Sequence, residues 1–166
     1  MKIAFYKGYG HTLAQKIVTV LINLWTRGPY SHVELIDAHE GEPDPEKWHW
    51  YSASAFKEGE VRVKMMRPYN PDNWDVFDVK FPEDPECKLT AFNVFCEESG
   101  KKYDWVGIFL SQILPLDRHV EDKWFCSEIT RFALCHAKIV PCDGEHHHYS
   151  PNALYRELKK LKVING

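Results

Sequence analysis

The chain has 166 residues, 44% of them hydrophobic and 14% aromatic, with 27% charged residues and a formal net charge of −3. That length suits a single domain over residues 1–166 with a core that needs no staples, and the composition excludes an intrinsically disordered chain. The mildly acidic balance gives no long-range attraction for nucleic acid or an anionic membrane, so only local patches could supply it.

The opening "MKIAFYKGYG" has neither the apolar core nor the small-residue cleavage site of a secretory signal, so a cytoplasmic protein is expected. Within it, "KIAFY" at 2–6 reads as a short buried strand. "GYGHT" then turns into a helix from Leu13 to Trp25 that is apolar nearly all round and is expected to be deeply packed. Its most apolar run, residues 17–25, falls short of the roughly 20 residues that span a bilayer, so no stable membrane insertion is expected. "YSHVELI" at 30–36 alternates like a strand, and "WHWYSAS" at 48–54 supplies its antiparallel partner after an acidic, proline-broken loop. "EVRVKMM" at 60–66 and "WDVFDVKF" at 74–81 continue the sheet.

The second half is helical. Residues 85–99 read as a helix ended by Gly100, and "YDWVGIFLSQIL" at 103–114 as a shorter one stopped by Pro115. A third helix covers 124–137, and the last begins with Ser150 as N-cap and Pro151 in its first turn. A sheet half followed by a helical half in one domain predicts an α+β fold. Five cysteines (87, 96, 126, 135 and 142), an odd number without a CxxC pair, predict reduced thiols in a reducing compartment.

Cys126 falls in the first turn of the third helix, where unpaired backbone N–H groups favour a thiolate. Cys135 lies in the last turn, where the dipole opposes ionisation, and reads as a small packing residue. On a helical wheel Cys126, Thr130, Ala133 and Ala137 form a stripe of small residues that allows close approach to a sheet. A thiolate nucleophile needs a group that takes and returns a proton. His32 is the candidate, because it interrupts an apolar strand and Glu34 shares its face at strand spacing. His119, in a charged loop, reads as solvated surface. "CDGEHHHYS" at 142–150 offers zinc-ligand types, but three adjacent histidines do not converge readily on one ion, so neither metal nor cofactor is expected.

The segments "YSHVELI", "YSAS…GEVRVK", "KYDWVGIF", "WFCSEI" and "YSPNAL", in this order across residues 28–154, resemble the circularly permuted branch of NlpC-type papain-like cysteine hydrolases. That branch includes YiiX-like proteins and is related to lecithin:retinol acyltransferase. The resemblance implies a small antiparallel sheet packed against helices, with Cys126 as nucleophile at a helix N-terminus and His32 as general base. It also implies a third polar residue that orients the imidazole. On the following strand this chain offers only Ser52 in "YSAS", leaving Ser52 or Glu34 for that role, with Glu34 favoured on charge. Tyr103 or the backbone N–H of Cys126 would steady an oxyanion.

The expected activity is a thiol hydrolase that opens an amide or ester through an acyl-enzyme. Its substrate would be a small molecule, a peptide of the peptidoglycan type, another amide, or a lipid-like ester, with Trp25, Trp48, Trp50, Tyr51 and Trp124 as a possible apolar wall. Two alternatives use the same fold: an acyltransferase with the same site, and a binding module that has lost catalysis. No nucleic-acid partner is expected.

Overall fold

The computed structural model describes residues 1–8, 12–38, 42–54, 59–64, 69–82, 84–104, 123–144 and 146–165. The sheet half follows the alternation of the sequence: β1 (Lys2–Tyr6), β2 (His32–Asp37), β3 (His49–Ser54), β4 (Glu60–Lys64) and β5 (Trp74–Asp78). Two short strands escape periodicity altogether, β6 (Lys102–Tyr103) and β7 (Lys123–Trp124). The spatial order is β5-β1-β2-β3-β4-β6-β7, antiparallel except for the parallel pair β6–β7. The sheet is therefore mixed rather than purely antiparallel. Tyr103 sits in β6 and not at a helix start, and Asp104 follows it by donating to the Trp124 carbonyl; residues 105–114 of the segment expected to be helical, like His119, lie outside the described residues.

Among the described residues four helices accompany the sheet: α1 (Leu13–Thr26), α2 (Pro85–Glu97), α3 (Cys126–His136) and α4 (Pro151–Lys160). Asp84 caps α2 through the N–H of Glu86, and Ser150 caps α4 through that of Ala153, each with proline in the first turn. The main core joins Ile3, Phe5, Val33, Leu35 and Ala53 of the sheet to Phe95 of α2, Ile129 and Ala133 of α3 and Leu154 of α4. Along α3 the small stripe of Cys126, Thr130, Ala133 and Ala137 is buried, as close approach to the sheet requires. A second cluster of Ala4, Ile36, Trp48, Trp50 and Trp74 fills the other face.

Two further features hold the elements around the strand that carries His32. Asn152, buried at the start of α4, donates to Thr26 Oγ1 (2.6 Å) and to the Tyr30 carbonyl (2.7 Å), and accepts from the Tyr30 N–H (3.0 Å). One side chain thus clamps the end of α1 to the approach of β2, and Gly28 leaves the room this needs. Arg131 of α3, fully buried, reaches Glu157 of α4 and Asp143 with all three guanidinium nitrogens and stacks 3.9 Å from the Tyr149 ring. His146 also touches Arg131, so the 142–150 segment, whose histidines offer zinc-ligand types, takes part in the latch between α3 and α4.

Two expectations are corrected here. Cys135 is disulfide-bonded to Cys142 and is not a free packing thiol; Cys87, Cys96 and Cys126 are free. The physical reason is the left-handed Lys138 (φ 57°), which ends α3 in a Schellman-type turn and folds the chain back until the two Cα atoms are 5.1 Å apart. Helix α1, expected to be deeply packed, lies on the surface, with Leu13 75% and Leu24 76% exposed. It is held by its polar side, through Thr19, Thr26 and the Asn152 clamp, so its hydrophobicity does not mark burial.

Candidate active site

Phe125 is the extended residue before α3, and Cys126 is the first residue of that helix. Glu128 reaches back to accept from the Phe125 N–H (3.4 Å), and Thr130 Oγ1 donates to the Cys126 carbonyl (2.7 Å), so the first turn is held from both ends. The thiol is buried. Burial alone would push its pKa up, but the charge and hydrogen bond of His32, followed by the N–H groups of Val33 and Ser127, outweigh this and lower it.

The sheet itself makes room for the sulfur. The β1–β2 ladder runs from Tyr6↔His32 to Lys2↔Ile36, whereas the β2–β3 ladder extends only from Leu35↔Tyr51 to Asp37↔His49. The two strands part beyond Leu35, and the start of α3 enters there, where the Val33 N–H donates to the Cys126 sulfur. Ser52 fills the gap on the carbonyl side, donating to Val33 O at 2.8 Å.

His32, which keeps 21% of its side chain exposed, occupies the first position of β2. Burial pushes its imidazole pKa down, but the charge and hydrogen bond of Cys126, and then Glu34, push it up to about 9. Its Nε2 lies 3.1 Å from Glu34 Oε1 and 3.4 Å from Ser52 Oγ. The single Ser52 proton is directed at Val33 O, so Ser52 offers Nε2 only a distant lone pair. Glu34 is the nearer and charged partner, and with Nε2 turned to Glu34 the other ring nitrogen, Nδ1, is left for the sulfur. The structure thus brings together all four residues expected from the sequence, and gives Ser52 a backbone-patching position.

Sequence reading missed Arg62. It is buried on β4 directly across from Ser52 in the register and donates to Glu34 Oε1 at 3.3 Å, giving the fully buried carboxylate a counter-charge. No local signal marks it, since the alternation in "EVRVK" assigns an arginine between two valines to the solvent face, and only its tertiary partner Glu34 turns it inward. Tyr103 is also adjacent: its hydroxyl is hydrogen-bonded to Cys126, and burial followed by the Cys126 charge keeps it well above its ordinary pKa, hence protonated. The aromatic wall is corrected. Trp48 and Trp50 belong to the second core cluster, Tyr51 and Trp124 to the main core, and Trp25 is exposed on α1. The aromatic ring beside the imidazole is that of Trp74, 6.2 Å away and also packed against Trp50.

The unequal positions of Glu34 and Ser52 give a direct expectation. Glu34→Gln keeps an acceptor but removes the charge, worth about 1.5–3 kcal/mol in a hydrogen bond to an imidazolium, or about ten- to hundredfold in thiolate population. Ser52→Ala is expected to cost stability through the Val33 carbonyl while leaving the pH profile of Cys126 alkylation in place. Measuring iodoacetamide alkylation of both variants across pH checks this; equal shifts in the two would contradict it.

No protein-family model and no curated protein matches the sequence. Among solved structures, the fold is similar to the crystal structure of the metalloprotein YiiX from Escherichia coli O157:H7, DUF1105. The TM-score is 0.56 at 17% identity, covering 96% of this chain and 79% of that one. The likeness extends over nearly the whole chain and concerns the fold: α+β and YiiX-like.

Proposed function

We propose that the chain is a cysteine-nucleophile hydrolase of the permuted papain-like type, opening an amide or ester bond through an acyl-enzyme. The observation that carries this reading is the hydrogen-bonded pairing of a buried thiol at a helix start with an imidazole whose Nε2 is held 3.1 Å from the Glu34 carboxylate, a pairing that lowers the thiol pKa and raises that of the imidazole. Such a pair holds its proton on nitrogen and its charge on sulfur near neutral pH.

In the proposed cycle the Cys126 thiolate attacks the substrate carbonyl, and the electron pair moves to the carbonyl oxygen. Backbone N–H groups at the start of α3 and the protonated Tyr103 hydroxyl are the donors within reach of that charge. The His32 imidazolium then protonates the leaving amine or alcohol as the carbonyl re-forms, giving a thioester on Cys126. Neutral His32, oriented by Glu34, next takes a proton from water as that water attacks the thioester; the acid leaves and the thiol–imidazole pair is restored. An alcohol or amine in place of water makes the same site an acyltransferase.

YiiX is described as a metalloprotein. Among the described residues of this chain no group of three His, Cys, Asp or Glu could hold a metal ion. No helix among them is long and apolar enough to cross a membrane. The disulfide removes the cysteine-based premise for a reducing compartment.

An activated ester such as a p-nitrophenyl ester tests the reading. Mass spectrometry after acid quench is expected to find one acyl group, on Cys126, that disappears on longer incubation as water releases it. An inert Cys126, or acylation spread over Cys87 and Cys96, would instead favour a binding module that keeps the fold without the reaction.

A further inference from the structure

Helix α1 is amphipathic in the inverse sense. Its inward side carries the polar anchors Thr19 and Thr26, while Leu13, Ile17, Val20, Leu21, Leu24 and Trp25 are all exposed. At 3.6 residues per turn these six cover one continuous sector of about 140°. Together they present roughly 600 Å² of apolar surface, at the upper end of what monomeric soluble proteins leave uncovered.

Charge and area decide what covers this face. Residues 1–33 contain Lys2, Lys7, Lys16 and Arg27 but no Asp or Glu, although the chain as a whole is acidic. Lys2 and Lys7 are paired with Asp78 and Asp75 of β5. Lys16 and Arg27 are exposed at the borders of the apolar face, and neither forms an ion pair among the described residues. A second copy docked isologously through this face would bring these cations together with no carboxylate of the helix to offset them. The area also falls below the roughly 800 Å² per partner of a stable dimer. An anionic bilayer surface meets both demands: acyl chains receive the leucines, Trp25 suits the headgroup level, and lipid phosphates neutralise Lys16 and Arg27.

The geometry points to α1 as an interfacial docking surface for anionic membranes, with the helix lying in the headgroup plane and not crossing it. Because Thr26 is clamped by Asn152 to the approach of β2, docking would hold the strand that carries His32 at a fixed distance from the bilayer. This inference stands independently of the reaction proposed above.

Co-sedimentation of the full chain with vesicles of phosphatidylglycerol and phosphatidylcholine tests it. Binding is expected, weakened by more than tenfold in Leu21→Glu/Leu24→Glu, a variant whose melting curve and Cys126 alkylation rate should match the wild type. Lys16→Gln/Arg27→Gln is expected to weaken binding about thirtyfold, roughly fivefold per charge. Vesicle binding unchanged in the double glutamate variant would overturn the proposal. So would a wild type that ignores vesicles, whether it sediments as a monomer or as a dimer that the same two glutamates dissociate, the latter assigning the face to a second copy.

Discussion

Cys126→Ser is expected to abolish acyl-enzyme turnover, by about three orders of magnitude or more, while the protein folds as before. The substitution is nearly isosteric at a buried position, and a hydroxyl can accept from the same Val33 and Ser127 N–H groups that surround the sulfur. What it loses is ionisation. The environment that lowers a thiol pKa is too weak to ionise an alcohol, so His32 faces a neutral oxygen and no nucleophile forms. Ester hydrolysis and mass-spectrometric acylation check the loss, and the melting temperature checks the fold. Residual turnover near the wild-type rate would move the chemistry to another residue.

His32→Ala is the second large effect. Without the imidazolium, burial is opposed by the backbone N–H groups, the helix start and the Tyr103 hydroxyl but by no full charge, and the Cys126 pKa rises. Alkylation near pH ~7 is expected to fall by about ten- to hundredfold, with the profile displaced to higher pH. The sign follows from the pair. In the wild type the raised imidazole pKa means that stabilisation from His32 is lost as pH rises through about 9. The lowered thiol pKa means that the contribution of Cys126 is lost as pH falls through its depressed value. The variant loses both limits, so its stability should vary less between them; thermal melts across pH read this out.

The five longer strands and the four described helices were legible because alternation, apolar runs and caps state them locally: "EVRVK" and "WDVFD" on one side, the run from Leu13, Asp84 and Ser150 on the other. Two partners within the site were legible for a similar reason, since His32 and Glu34 are two apart on one strand and share a face. What failed was whatever depends on the far side of a contact. The composition of α1 states that it is apolar, not whether protein lies against it, and the anchor that places it outside, Asn152, is remote in sequence. The two-residue strands β6 and β7 are too short for any period to show. The Cys135–Cys142 bond depends on a left-handed residue, Lys138, that its identity does not announce. Ser52 was weighed as an imidazole partner because its strand was known, but its better acceptor is the Val33 carbonyl exposed where β2 and β3 part.

The central claim is that sulfur and imidazole share one proton, with the charge on sulfur. Ultraviolet absorbance of the thiolate, followed across pH as the difference between wild type and Cys126→Ser, measures this in the unmodified folded protein. A step well below the ordinary thiol value of about 8.5 is expected, with a plateau through neutral pH. A step at or above that value would mean that Cys126 is a neutral buried thiol at neutral pH, and would contradict the claim.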